Sequence, residues 1–208
     1  MSNSEHTPVH REPSSRDKAL ALVSKIEDMD IRRYAESSLG SHASIYQMVK
    51  AFHKVYDLPI VSPSQSKDNF AHMTKERLAM RFGLIVEEFK ELCEAMDMQC
   101  RVQLGYLDEE EETVWTEDVV EAITNTEERC VADVADALFD LKYVIVGFEY
   151  EVGIDPQTCA LEGQASNLSK LMPDGSVLRR EDGKVLKGPD FFRPDMAKAL
   201  KAWGMKDV

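Results

Sequence analysis

One segment constrains the fold of this chain more than any other, because three aspartates recur along an otherwise apolar helix. The segment runs from Val131 to Phe148 and reads VADVADALFDLKYVIVGF. At about 100° per residue, Asp133, Asp136 and Asp140 fall within an arc of roughly 60°. Apart from Lys142, the remaining positions are apolar or glycine. A helix of this composition is expected to be buried nearly all round.

The aspartate line indicates a site for metal ions. Buried carboxylates without partners are very costly, and Asp is a poor residue for the interior of a helix. No basic residue lies on the same line of this helix. We therefore expect cations to bind along it.

A second acidic set lies on a helix predicted over residues 76–98. Glu87, Glu88 and Glu91 form an E-E-x-x-E pattern, in which Glu88 and Glu91 lie on neighbouring faces. A single glutamate on a helix usually belongs to a solvated face, but two acidic helices together favour a shared site. The glutamates lie between a main apolar face and a lesser apolar strip of this helix. The main face is formed by Leu78, Phe82, Ile85, Phe89, Leu92 and Met96, and the lesser strip by Met80, Leu84 and Ala95.

Composition excludes several classes of function. The chain has 208 residues, 43% of them hydrophobic, and a net charge of −13, which suits one compact domain with extensions. The negative charge argues against binding to polymeric nucleic acid or to an anionic membrane surface. The sequence contains no run of 18 apolar residues, so it predicts no membrane span. The four cysteines lack C-x-x-C spacing, and the N-terminus has no apolar signal core, as expected of a cytoplasmic protein with reduced thiols.

The pattern along the chain predicts three regions. Residues 1–16 are expected to be a disordered tail. Residues 17–172 are expected to form a helical domain with an acidic insert near 105–128, in which the run Asp108–Glu112 is solvated. Residues 173–208 are expected to form a β-hairpin and a short helix.

Helix boundaries follow from caps and breakers. Helices are expected over 17–39, from a Ser41 cap to the residue before Pro59, over 76–98, over 116–128, from about 131 to Gly153, over 155–170 and over 195–205. The hairpin is predicted where Val177-Leu178 and Val185-Leu186 flank a Glu181-Asp182-Gly183 turn.

The acidic residues favour a hard cation. Neither helix places a histidine among the carboxylates, so magnesium or manganese fits better than zinc. The same absence argues against a di-iron bundle, which uses Glu-x-x-His. Six acids would overcharge one magnesium site, and two or more ions bridged by phosphate oxygens fit better.

Basic and amide groups cluster near the C-terminus of this acidic chain. They occur in Ser166–Lys170, in Arg179-Arg180 and in Gly183–Pro189. One interpretation is an ordinary surface loop and hairpin. The other is a phosphate-facing segment, in which Lys170 and Lys187 supply charge and Asn167 contacts a sugar or base.

The two acidic motifs resemble those of a known family. Glu87-Glu88-x-x-Glu91 and Asp133-x-x-Asp136 are similar to the paired motifs of the MazG-like, all-α nucleoside triphosphate pyrophosphohydrolases, and most similar to the phage and bacterial phosphoribosyl-ATP pyrophosphohydrolase-like group. The resemblance extends from about residue 47 to residue 195, through the stretches VKAFHKVYDLPI, RFGLIVEEFKEL, DVADALFDLKYVIVGFEYEVGID and SNLSKL…EDGKVLKGPDFFRPD. Two features depart from the family: Asp133 stands where Glu is usual, and 41 residues separate Glu91 from Asp133.

The resemblance implies an all-α bundle of mostly four core helices that forms a homodimer or a dimer of dimers. It implies the reaction NTP + H2O → NMP + PPi, with magnesium, or alternatively manganese, as cofactor and a deoxynucleotide as the expected substrate. The implied catalytic and metal-holding residues are Glu88, Glu91, Asp133 and Asp136, with Glu87 and Asp140 as further ligands or as residues behind the ligands.

Two alternatives remain open at this point. The first is a phosphoribosyl-ATP pyrophosphohydrolase of histidine biosynthesis. The second is a non-enzymatic helical interaction protein, whose acids form a charged seam that needs no metal.

Overall fold

The computed structural model describes residues 14–65, 72–96, 98–101, 119–122 and 130–205. The chain divides into two compact units, one ending at Ile60 and the other beginning at Val61. The described residues of both units are mainly helical, and the predicted all-α class is confirmed. Residues 1–13 of the predicted disordered tail lie outside the described residues.

The first unit contains three helices, α1 (Ser15–Val23), α2 (Met29–Ser38) and α3 (Ile45–Val55). The prediction of one helix over 17–39 is wrong, because α1 ends at Val23 and a new helix begins after Asp28. The Asp28 side chain accepts the backbone N–H groups of Asp30 and Ile31 at 2.9 and 3.0 Å, which caps a new helix.

The N-cap of α3 is Ser44, and the predicted cap at Ser41 is wrong. The Ser44 hydroxyl accepts the Gln47 backbone N–H at 3.3 Å, and the Gln47 side chain accepts the Ser44 backbone N–H at 2.8 Å. This reciprocal capping box satisfies two backbone donors, and Ser41 has no Glu or Gln three residues later to complete one. Within the same unit, His53 is buried and its Nδ1 lies 2.8 Å from the Pro59 carbonyl.

The second unit contains α4 (Lys75–Ala95), α5 (Val131–Val152), α6 (Pro156–Leu168) and α7 (Met196–Trp203). Helix α4 packs against α5, and α6 packs against both α5 and α7. The predicted boundaries of α4, α6 and α7 agree with the structure within a few residues. No helix among the described residues is both long enough and apolar enough to cross a membrane.

Two short antiparallel strands follow α4. Strand β1 (Met98–Arg101) pairs with β2 (Val119–Ala122), with Met98 opposite Ala122. The predicted helix over 116–128 is therefore wrong at residues 119–122, where two β-branched valines favour a strand. The rest of that predicted helix and the acidic run Asp108–Glu112 lie outside the described residues.

The predicted C-terminal β-hairpin does not form regular strands. The segment makes one isolated antiparallel bridge, between Arg179 and Val185, around a turn at Gly183 with a φ of 86°. Its apolar residues Val177, Leu178 and Val185 are exposed. Because a lone two-stranded hairpin is marginal without a packed face, the pairing ends after a single bridge.

Helix α5 is not buried nearly all round, and that prediction is wrong for the single chain. The last two turns are well covered, since Val146, Gly147 and Tyr150 are buried, whereas in the first half Leu138 and Phe139 are more than 40% exposed. Helix α4 also keeps apolar residues at its surface, with Phe82 at 48% and Phe89 at 37% exposure. The periodicity of both helices therefore offers more apolar surface than the described part of one chain covers.

Candidate functional site

The acidic side chains of α4 lie at the edge of its packed face. Glu87 and Glu91 are exposed, and Glu88 between them is partly buried. The helix is capped at its start by Thr74, whose side-chain oxygen accepts the Arg77 backbone N–H at 3.1 Å. The E-E-x-x-E pattern therefore places one carboxylate towards the neighbouring helix and two towards water.

The aspartate line of α5 becomes more exposed towards the start of the helix. Asp133 and Asp136 are exposed, and Asp140 is partly buried. The prediction that these carboxylates require cations because they are buried is thus wrong for Asp133 and Asp136 in the single chain.

Glu88 is the point at which the two acidic sets meet. Its pKa lies above the ordinary value, first because partial burial disfavours the charged carboxylate, and then because the negative charges of Glu91, Asp140, Glu87 and Asp136 act on it. The structure therefore brings carboxylates of α4 and α5 into electrostatic range of one another. Asp133 is not among the acids that act on Glu88.

The carboxylates are gathered but do not form a closed set of ligands. Within the described parts of the chain, no three His, Cys, Asp or Glu side chains lie close enough together to hold a metal ion. The assignment of metal ligands to Glu87, Glu88, Glu91, Asp133, Asp136 and Asp140 stays a prediction.

A buried ion cluster joins the same two helices and was not predicted from the sequence. Glu151 of α5 is 1% exposed and accepts hydrogen bonds from Arg77 Nε at 2.6 Å and from an Arg81 Nη at 2.5 Å. A second nitrogen of Arg77 also contacts this carboxylate. Because Arg81 meets Glu151 whereas Glu88 lies near the earlier residues Asp136 and Asp140, the two helices run antiparallel.

The predicted substrate residues lie around the end of α6. Asn167 and Lys187 are exposed and Lys170 is partly buried. The Lys170 ammonium donates a hydrogen bond to the Asn167 side-chain oxygen at 2.7 Å, and the Lys187 ammonium lies 4.3 Å from the centre of the Phe191 ring. Of the three predicted substrate-binding residues, Asn167 and Lys170 are thus hydrogen-bonded to each other, and Lys187 belongs to a later segment of the chain.

Gly188 anchors that later segment to the end of α6. Its backbone N–H donates to the Lys170 carbonyl at 3.0 Å, and a Cβ at this position would lie 2.3 Å from the Leu171 carbonyl oxygen. Only a residue without a side chain allows this approach. Gly188 therefore holds the backbone next to Lys187 against the backbone of Lys170.

Replacing Gly188 by Ala should destabilise the protein by about 1–3 kcal/mol, the usual cost of overpacking. Gly163, within α6, is the matched control, because a Cβ there would meet the Met196 side chain at 3.8 Å, an ordinary contact. Gly163→Ala should be stabilising by about 0.5–1 kcal/mol, as alanine is the better helix residue. Urea unfolding of the three proteins measures both effects, and equal midpoints for Gly188→Ala and wild type would contradict the role of Gly188.

Comparison with known proteins matches the chain to one family. The family model described as phosphoribosyl-ATP pyrophosphohydrolase covers residues 49–167. The matched range includes all six acids and Asn167, and it ends before Lys170 and Lys187. The comparison with curated proteins found no match.

Proposed function

Since the chain belongs to the phosphoribosyl-ATP pyrophosphohydrolase family, whose members hydrolyse phosphoanhydride bonds of nucleotides, we propose that it converts a nucleoside triphosphate and water to the monophosphate and pyrophosphate. The substrate we propose is a deoxynucleoside triphosphate. The observation that carries the proposal is the gathering of carboxylates from α4 and α5 around Glu88. Such a gathering is unfavourable unless a positive charge compensates it.

The chemistry of the donor groups around Glu88 suits magnesium. The donors are carboxylate oxygens, which hard divalent cations prefer. We propose Glu88, Glu91, Asp133 and Asp136 as the holding residues, with Glu87 and Asp140 beside them. Magnesium, or alternatively manganese, when bound supplies neutralisation of the phosphate charge and a lower pKa for the attacking water.

The proposed reaction uses one of these carboxylates as a general base. It takes a proton from water, whose oxygen forms a bond to the α-phosphorus while the bond from the α-phosphorus to the bridging oxygen breaks. Pyrophosphate leaves with the electron pair of that bond. We propose that Lys170 and Lys187 stabilise its added charge.

The identity of the substrate separates the two enzymatic candidates. The family description favours phosphoribosyl-ATP, whereas the 41 residues between Glu91 and Asp133, and the segment from residue 168 onward that lies outside the matched range, favour a different substrate. Pyrophosphate release should be measured with magnesium for the eight common NTPs and dNTPs and for phosphoribosyl-ATP. A kcat/KM highest for a dNTP supports the proposal, and turnover of phosphoribosyl-ATP alone would replace it with the second candidate.

The exposed apolar side chains of α4 and α5 support a proposed homodimer or dimer of dimers. Phe82 and Phe89 on α4, and Phe139 and Ile145 on α5, are each at least 37% exposed in the single chain. A second copy would bury them as a two-helix face of this kind requires. Sedimentation equilibrium tests the oligomer, and a monomer at micromolar concentration would contradict it.

We also propose a cytoplasmic location, in keeping with the free thiols of Cys130 and Cys159.

Magnesium should stabilise the protein against heat. At an ion concentration near 100 times the dissociation constant the gain is about 2.7 kcal/mol, or on the order of 5–10 °C in melting temperature for a unit of this size. The cause is relief of repulsion around Glu88, so Glu88→Gln should show a smaller rise. Thermal melts in magnesium, manganese and chelator measure this. Identical melting temperatures in all three would support the metal-free interaction protein instead.

Neutralising Lys187 should weaken binding of the triphosphate more than that of the monophosphate product. Lys187→Met removes one charged hydrogen bond, which is worth about 1.5–3 kcal/mol, or roughly 10- to 150-fold in affinity. Stabilisation by magnesium should persist, because no proposed ligand changes. Calorimetry with a non-hydrolysable triphosphate and with the monophosphate gives the comparison.

Lys201→Met is the matched control for Lys187→Met, since Lys201 is an exposed lysine near the end of α7. It should leave both affinities at their wild-type values. Equal triphosphate affinity in Lys187→Met and wild type would indicate that the segment containing Lys187 is an ordinary surface loop.

A further inference from the structure

The ion cluster of Arg77, Arg81 and Glu151 is the most deeply buried charged group among the described residues. Exposure is 1% for the Glu151 side chain and 7% for that of Arg81, whereas that of Arg77 is 35% exposed. Arg77 and Arg81 are one helical turn apart on α4, and both guanidinium groups bind the same carboxylate of α5. The His72 ring, just before α4, adds a contact of 3.3 Å to the Glu151 carbonyl.

The cluster lies on the same two helices as the acids, a short distance along each. Seven residues, or about 10 Å of helix, separate Arg81 from Glu88, and eleven residues, or about 16 Å, separate Glu151 from Asp140. The placement of Glu88 opposite Asp136 and Asp140 therefore depends on how far α4 is shifted along α5.

Apolar contacts alone specify that shift weakly, because similar side chains pack in more than one arrangement. A two-pronged hydrogen bond from a guanidinium to a carboxylate is directional and tolerates little displacement. A slip of one helical turn, about 5.4 Å, would break every such bond in the cluster. A single buried polar residue can fix the register of paired helices, as buried asparagine does in coiled coils.

We propose that Arg77, Arg81 and Glu151 are positioning residues that set the axial register of α4 against α5, and thereby the spacing of the carboxylates proposed to hold the metal. The inference rests on the proposed function for the identity of that metal site. These residues touch neither substrate nor metal in this account, and they act through Glu88, Asp136 and Asp140.

A purely structural role predicts a different result from a positioning role. Replacing a buried ion pair by apolar residues of similar volume is often neutral for stability. In the double variant Arg81→Met/Glu151→Leu, the partly exposed Arg77 can turn to water. The protein should then remain stable while the register, and with it the metal site, is no longer specified.

The test compares stability with metal affinity in the full-length protein. We expect the double variant to melt within about 4 °C of wild type. Its affinity for manganese, measured in the absence of nucleotide by the electron paramagnetic resonance of free ion, should fall by about 10- to 100-fold, as when residues behind metal ligands are altered. The double variant Asp30→Asn/Arg33→Gln removes an exposed ion pair of 4.0 Å and should change neither quantity.

A conservative variant decides the question if the apolar double variant does not fold. Arg81→Lys keeps the charge and loses the planar fork, and a loss of manganese affinity of about tenfold supports the inference. Wild-type manganese affinity in a folded variant overturns the inference alone. Failure of wild type itself to bind manganese overturns the proposed function on which it rests.

Discussion

Replacing Asp136 by Asn should lower kcat/KM for the triphosphate by at least about 100-fold, more than is lost when residues behind metal ligands are altered. The substitution keeps the shape of the side chain and removes one of the charges that act on Glu88. Because Asp136 is exposed on α5, the fold should survive. Pyrophosphate release at saturating magnesium measures the loss, and circular dichroism checks the fold.

The same variant makes a second, opposite prediction in chelator. Without metal the carboxylates repel one another, so Asp136→Asn should melt at or above the wild-type temperature. Asp30→Asn, an exposed aspartate of α2 in the first unit, is the control and should leave turnover unchanged. Near-normal turnover by Asp136→Asn would mean that the metals bind elsewhere.

Replacing Glu151 by Gln should destabilise the protein by about 3–5 kcal/mol, the range for removing one partner of a buried pair. The amide keeps the size of the side chain but leaves the Arg77 and Arg81 guanidinium groups side by side without the carboxylate that they share. Urea unfolding at neutral pH measures the loss. A change below about 1 kcal/mol, the median for an exposed ion pair, would contradict the role of the cluster.

The loss should depend on pH in a direction set by the Glu151 carboxyl. Burial alone would raise its pKa, but the hydrogen bonds and charges of Arg77 and Arg81 outweigh burial and hold it below the ordinary value of 4.5. A group with a lowered pKa in the folded state contributes stability that is complete above its unfolded pKa and is lost as the pH falls through the folded pKa. The difference between wild type and Glu151→Gln should therefore be constant above about pH 5 and shrink at lower pH. A difference that grows on acidification would contradict this assignment.

Local signals predicted α4, α5, α6 and α7 of the second unit well, but they did not predict the strand at Val119–Ala122. Thr74 caps α4, and Asp155 followed by Pro156 starts α6, where a capping side chain and a proline at the first turn are both favoured. Gly153 ends α5 with a φ of 79°, as glycine after a helix commonly does. These features act within four residues, so the sequence alone is sufficient to locate them.

Some of the incorrect predictions have local causes, and others depend on contacts between distant parts of the chain. The break before Met29 depends on Asp28, which caps a new helix. An aspartate within a polar stretch does not by itself indicate a helix cap. The pairing of Met98–Arg101 with Val119–Ala122 joins segments that are distant in the sequence, and periodicity carries no information about such pairing. The exposure of Phe139 on α5 was missed because an apolar position does not reveal whether its own chain or another covers it.

The candidate site was predicted in part. That Glu88 and the aspartates of α5 share one site stays a prediction; of these aspartates, Asp136 and Asp140 are the ones whose charges act on Glu88. The ion cluster was missed because Arg77 and Arg81 precede Glu151 by 74 and 70 residues. A charged residue within the apolar end of α5, and an arginine within the apolar stretch of α4, were the signals that could have revealed it.

We propose that water attacks the α-phosphorus of a nucleoside triphosphate in a metal-dependent reaction. This proposal is tested most directly by hydrolysis of the preferred dNTP in ¹⁸O-labelled water, with mass analysis of both products. We expect monophosphate and pyrophosphate, with the label in the monophosphate alone and with no products in chelator. Label in pyrophosphate, release of orthophosphate, or undiminished turnover in chelator would contradict it.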